Sequence, residues 1–225
     1  MNGLWWSWPA FALPALELQQ LLHAAAWVAV LSWCSVRLLS GVLGRSAWLL
    51  CSSAWVLLLA WWDAPLSALG LAFQSPSLLS LCLCVMAAWS DMQTPERQIF
   101  SSPQSVRATG WAWLCVALLG WALLLDTWGH MPWDVYLWGF ELQALWWAWA
   151  LAGAWMLWAS FQDTLTATWH ARAASCLLAA VALFGFTHAP SGNAWDALLD
   201  PGLWLYAHVQ LWRLFAPQRT RISHS

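Results

Sequence analysis

The sequence predicts an all-α fold, a single bundle of seven transmembrane helices with the N-terminus outside and the C-terminus in the cytoplasm. Three observations predict it. The 225 residues are 62% hydrophobic and 8% charged, where soluble domains carry about 25% charged residues. Seven apolar stretches approach the roughly 20 residues that a helix needs to cross hydrocarbon. The few charges are also sorted by loop. A water-soluble chain of this length could not hide so much apolar surface, and the mean hydropathy of +0.59 agrees. A soluble enzyme, a disordered chain and a nucleic-acid binder are therefore excluded.

The elements follow in order. Met1–Leu16, with Trp5, Trp6, Trp8, Pro9 and Pro14, reads as a short segment lying on the membrane surface. It does not read as a signal peptide, because no basic residue precedes the first apolar run and Glu17, Gln19 and Gln20 interrupt it. The first span, 18–39, carries Arg37 near its end, where the long side chain can reach the interface. The second is 47–62. The third, 64–89, is interrupted by Gln74-Ser75-Pro76 and is expected to be one kinked helix. The part from Pro76 to Asp91 is only about 20 Å long, too short to cross alone. Spans 108–126, 137–160 and 173–187 follow, and the last, 198–215, contains His208 and Gln210. Ser90–Arg107 is the longest polar stretch and forms a loop, so no soluble domain is expected. No internal repeat is visible.

Charge placement tests this count independently. There is no lysine, so all eight basic residues are arginine. With alternating crossings, Arg37, Arg45, Arg97, Arg107, Arg172, Arg213, Arg219 and Arg221 fall on one side, with Asp91, Glu96 and Asp163. The other side receives Glu17, Asp63, Asp126, Asp134, Glu141, Asp196 and Asp200 and no positive charge. Arginine collects in cytoplasmic loops, which sets the orientation and points to a multi-pass protein of a bacterial inner membrane.

Candidate chemistry is sparse. The six cysteines, Cys34, Cys51, Cys82, Cys84, Cys115 and Cys176, all fall inside spans and are expected to be reduced packing residues. His23, His130 and His188 fall toward the outer side with Asp134, while His208 lies near mid-depth one turn past Trp204 and two past Asp200. Imidazole and carboxylate together suit copper, iron or zinc, but no pair of these histidines shows ligand spacing, so any site depends on tertiary proximity. A histidine within a span is costly unless it has a partner, which makes His208 a functional candidate by itself. His170 and His224 look incidental.

Tryptophan is extreme, at 25 residues against 2 Tyr and 8 Phe. Two interfacial belts do not need so many, so several must lie deep in the bundle. The loop Leu125–Asp134, with Trp128, His130, Trp133 and Asp134, and the cluster Trp61-Trp62-Asp63 place Trp-Asp pairs beside outer histidines. Such loops resemble those of the haem-handling proteins of cytochrome c maturation. The resemblance implies indoles stacked on a porphyrin whose iron is held by histidine. The chain departs from that pattern in lacking the longer Trp-rich signature, and Val135 stands where a basic residue follows the Asp.

On function, the scarcity of polar groups within spans disfavours a coupled transporter or an intramembrane enzyme. In the fifth span Ala144, Ala148 and Ala152 share one face, a pattern that lets helices approach closely, either within the chain or against another subunit. The leading expectation is a non-enzymatic accessory or assembly subunit of a larger membrane complex, its partners being lipid and other membrane subunits. Two alternatives stand beside it. One is a haem- or metal-handling protein, with haem or copper as its cofactor, whose His/Asp/Trp site is on the outer face; the other is a small transporter or receptor for an apolar ligand.

Overall fold

Side-chain caps set the starts of three helices in this chain, those beginning at Leu78, Ala194 and Pro201. The computed structural model describes residues 15–43, 47–61, 69, 75–93, 110–162 and 164–215. Among these residues there are nine helices and no strand. They are α1 Leu16–Leu43, α2 Ala47–Trp61, α3 Leu78–Gln93, α4 Gly110–Thr127, α5 Val135–Trp138, α6 Leu142–Ala159, α7 Thr164–Thr187, α8 Ala194–Leu198 and α9 Pro201–Phe215. The surface segment before residue 15, Asp63 with most of the 62–74 stretch, the loop 94–109 and the tail from 216 lie outside the described residues.

Three spans differ from the sequence expectation. The helix expected over 64–89 is interrupted: residues 75–77 are not helical and a helix starts at Leu78, while 64–68 and 70–74 lie outside the described residues. Pro76 disfavours helical backbone in the residue before it, and the Ser77 hydroxyl accepts the Ser80 N–H at 3.1 Å, a cap that fixes the new start. The expected span 137–160 is two helices, α5 and α6, separated at Gly139–Glu141. The expected span 198–215 is entered by a separate short helix, α8. Leu199 is extended, Pro201 takes the first position of α9, and Asp200 Oδ1 accepts the Leu203 N–H at 2.8 Å.

Most packed helix pairs run antiparallel; α1 and α3 run parallel, their C-terminal parts joined by Arg37 and Asp91. α1 packs on α2 and α3, α3 on α7, α7 on α6 and α8, and α4 on α9. Residues 126–141 and 188–200 thus meet at one end, called upper here. Asp126, Asp134, Glu141, Asp196 and Asp200 are at that end. Arg37, paired with Asp91 at 3.6 Å, and Arg172, donating to Ser90 Oγ at 3.3 Å, lie at the lower end. Arg213, in the last turn of α9, lies there too.

The core is built largely of alanine. Ala112, Ala117, Ala144, Ala148, Ala152, Ala173, Ala180 and Ala207 are all buried, while Phe186 is 88% and Trp212 76% exposed. Small residues inside and large apolar residues outside reverse the order of a soluble protein and suit a lipid solvent. Ala144 is buried in one cluster with Ala180 and Phe184 of α7, which packs on α6, so α7 of the same chain covers this end of the alanine face of α6. Residues Leu16–Leu39, Gly110–Thr127 and Thr168–Thr187 form three helices long and apolar enough to cross a membrane.

The α4–α9 contact is the tightest test of this packing. A Cβ on Gly120 would collide with the indole of Trp204, whose Nε1–H reaches the Ala117 carbonyl at 3.2 Å. Gly120→Ala should therefore lower the unfolding free energy by about 1–3 kcal/mol. Gly153, with open space around its Cβ position, should tolerate alanine and gain up to about 1 kcal/mol of helix propensity. Thermal unfolding of the purified protein in detergent would read both; equal effects of the two substitutions would contradict the contact.

Candidate functional site

The upper end is closed by a hydrogen-bond lock between two loops. Gly139 lies so close to Asn193 that any side chain there would collide, and its carbonyl accepts the Ala194 N–H at 2.8 Å. Asn193, fully buried, caps α8 by accepting the Trp195 N–H at 2.9 Å and donates to the Tyr136 carbonyl at 3.0 Å. The Trp195 indole donates to the Val135 carbonyl at 2.8 Å. The Tyr136 N–H reaches Asp126 Oδ2 at 2.7 Å, and its hydroxyl donates to Asp196 Oδ2 at 2.9 Å, which also accepts from Ser191. Burial first, and then the Asp196 carboxylate, pushes the Tyr136 phenol up to about 12.

The histidines singled out in the sequence are dispersed around this lock. His130 is exposed, and its Nδ1 lies 3.0 Å from the Trp128 carbonyl. Trp128 and Trp133 are exposed, as is Asp134, which precedes α5 without capping it through its side chain. His188 ends α7 with a left-handed φ of 54° and packs its ring on Phe184 at 5.9 Å. His23 sits half-buried on α1 with its ring 6.5 Å from Trp27. Among the described residues, no three His, Cys, Asp or Glu side chains converge so as to hold one metal ion.

His208 and Asp200 have definite partners on different helices. The Trp121 indole, a donor only, reaches His208 Nε2 at 3.1 Å, so Nε2 accepts and the proton is on Nδ1, which donates to the Trp204 carbonyl at 2.8 Å. This is a neutral imidazole with both nitrogens engaged. Asp200 turns instead to α3. Its Oδ2 accepts from the Ser77 N–H at 2.9 Å, the Ser77 hydroxyl at 2.7 Å and the Ser80 hydroxyl at 2.5 Å.

His170, which the sequence analysis set aside as incidental, is 2% exposed and enclosed by indoles. Trp111 stacks on it at 5.8 Å; Trp158, Trp169 and Trp155 lie at 4.8, 5.2 and 6.1 Å. The Trp155 Nε1–H points at His170 Nδ1 from 3.4 Å. The box draws on α4, α6 and α7, so no spacing along the chain could have revealed it.

These four indoles also wall the lower part of a groove of about 880 Å³ between α4 and α6, backed by α7. Trp113 and Trp147 line it too, and Trp138 and Trp195 reach it from the upper lock, making eight tryptophans. Among the described residues, no charged side chain lines it. A second cavity of about 330 Å³ lies beyond, and Leu83, Trp113 and Leu203 border both. Comparison with protein-family models, with characterised proteins and with solved structures gives no match.

The Tyr136 lock makes a pH-dependent prediction. The folded phenol titrates above its ordinary value of about 10, so the bond to Asp196 contributes fully below about pH 10 and is lost as pH rises through about 12. Tyr136→Phe should cost about 1 kcal/mol at pH 8. The gap between wild type and variant, read as unfolding midpoints, should close on going from pH 10 to pH 12; a gap constant with pH would refute the assignment.

Proposed function

We propose that this chain is a multi-pass protein of a bacterial inner membrane that holds an apolar, lipid-phase molecule with a flat unsaturated body. One observation carries the reading: the groove between α4 and α6, walled by eight indoles and, among the described residues, by no charged side chain. Its volume of about 880 Å³ lies within the roughly 300–1,000 Å³ of small-molecule sites. Leucine would serve a plain acyl chain equally well. Indole faces add offset and edge-on contacts with a conjugated or ring-bearing guest, worth about 0.5–1.5 kcal/mol each beyond burial. Trp147 and Leu151 line the groove and are also exposed, so it opens sideways, toward lipid in this reading.

Seven crossings with the N-terminus outside complete the proposal. The gathering of Arg37, Arg172 and Arg213 at the lower end and of five carboxylates at the upper end supports it, with the lower end cytoplasmic. The expectation of an accessory subunit rested in part on the alanine face of α6. Within this chain α7 packs on α6 and meets that face, so the face supplies no separate argument for a partner. Haem or copper on the outer face would have to draw on histidines that stand apart.

Two measurements test the proposal. Reporter fusions after Arg45, Arg172 and Ser225 should read cytoplasmic, and one after Trp128 periplasmic; a periplasmic reading at Ser225 would remove the seven-crossing topology. For the ligand, the protein purified in mild detergent should release one unsaturated apolar molecule into organic solvent, detected by absorbance and mass spectrometry. Ala154, exposed on α6 and lining the groove, is the site to block. Ala154→Trp should reduce the yield about tenfold or more while the protein stays monodisperse. Wild type carrying no such molecule would overturn the reading, as would a co-purifying membrane protein that Ala154→Trp displaces, which would favour the accessory-subunit function.

A further inference from the structure

The second cavity comes down, at the lower end of the bundle, onto a group of donors that have too few acceptors. The cavity, about 330 Å³, lies between α1 and α9 with α3 behind it, and its walls include Val30 and Trp33, Leu83, and Leu203 and Tyr206. Cys34 and Leu205 line it and are also exposed, so it opens sideways. Across its foot the Tyr206 and Trp33 rings meet at 5.4 Å. From there α1 and α9 both run toward the lower end. One turn past Trp33 stands Arg37; one turn past Tyr206 stands Gln210, and Arg213 follows three residues later. Both guanidiniums and the Gln210 amide are near enough to act on the Tyr206 hydroxyl, so the four side chains share one neighbourhood.

Gln210 is the member that packing does not explain. It is 1% exposed, and neither its amide oxygen nor its amide nitrogen makes a bond of hydrogen-bond geometry, although the Tyr206 hydroxyl is close. A buried carboxamide without partners weakens a fold, and leucine would fill much the same space without that penalty. Positive charge is in excess beside it. Asp91 Oδ2 lies 3.6 Å from Arg37 Nη2 and also accepts the Trp48 indole N–H at 3.3 Å. Arg37 Nη2 is buried and makes no hydrogen bond. Arg213 is exposed and, among the described residues, pairs with no carboxylate. Two guanidiniums, a carboxamide and a phenol thus share one carboxylate. Such a set suits a phosphate, whose oxygens accept from several N–H and O–H groups at once and whose charge answers guanidinium. Asp200 stands at the other end of the cavity, about 15 Å along α9 from Gln210, and would repel an anionic head there.

We propose that the lower mouth of this cavity binds the phosphate of an anionic phospholipid, one of whose acyl chains lies in the cavity. The site is separate from the groove between α4 and α6 and does not rest on that groove's function. Gln210 and Arg213 hold the phosphate from α9, Arg37 adds charge from α1, and the apolar walls take the chain. Basic pockets between membrane helices draw anionic headgroups in this way.

The test is calorimetric titration of the full-length protein, stripped of lipid in maltoside micelles, with dihexanoyl-phosphatidylglycerol, dihexanoyl-phosphatidylcholine and inorganic phosphate. Phosphatidylglycerol should bind about tenfold or more tighter than phosphatidylcholine, and inorganic phosphate should not displace it. Arg213→Gln, a change at an exposed position, should remove most of that preference. Gln210→Leu should weaken phosphatidylglycerol about tenfold and leave the unfolding midpoint of the lipid-free protein unchanged or raised, whereas loss of a purely structural amide would lower it. Equal binding of the two lipids to wild type, a preference that survives either substitution, or a lowered midpoint in Gln210→Leu would overturn the proposal. Displacement of phosphatidylglycerol by inorganic phosphate would make this a site for free phosphate and overturn the lipid assignment.

Discussion

Close backbone approach through alanine is the constraint on which the rest of this structure depends. In lipid there is no hydrophobic gain in bringing leucine from one helix against leucine from another, because the solvent is equally apolar. Helices that associate must do so through dense contact, and small side chains allow it. Ala144 of α6 shares a buried cluster with Ala180 of α7, and Ala207 of α9 shares another with Ala112 and Ala117 of α4. Gly120, with no room for a Cβ beside Trp204, is the extreme case.

The same constraint shapes the cavities. In the α4–α9 seam the Trp204 indole fits because Gly120 has no side chain; many of the other indoles line the space where helices do not pair closely. Since α4 packs chiefly on α9 and α6 on α7, the space between α4 and α6 is left to Trp111, Trp147, Trp155 and Trp158. Of these, Trp111, Trp155 and Trp158 both line the groove and, with Trp169, enclose His170 behind it. An imidazole in such a place needs a donor or acceptor, and the Trp155 N–H faces it.

Polar groups are concentrated at the upper end, where helices start and stop. Ser77, Asn193 and Asp200 each cap a helix and each also reaches a second element. Capping satisfies N–H groups that a helix start would otherwise expose, and the second bond fixes one element against another. In this way the upper loops are held by many short bonds while the middle of the bundle is held by packing.

The sequence by itself determined the all-helical class, the apolar character of the helices and, among the described residues, the separation of Arg37, Arg172 and Arg213 from the carboxylates of the upper end. Those follow from composition and from a period of one turn, which are local properties. It also showed the alanine face of α6, because residues four apart share a side. It did not show where helices break. The stretch around Pro76 was expected to bend, but the Ser77 cap makes it a start; the Gly139 break comes from contact with Asn193, more than fifty positions away. The tertiary structure alone decided which polar residues meet. His208 and Asp200 share a face in sequence, yet one bonds to Trp121 of α4 and the other to the serines of α3. His170 looked incidental because its four indoles come from three helices. Spacing along one helix fixes direction only; which neighbour stands in that direction is set by how the helices pack.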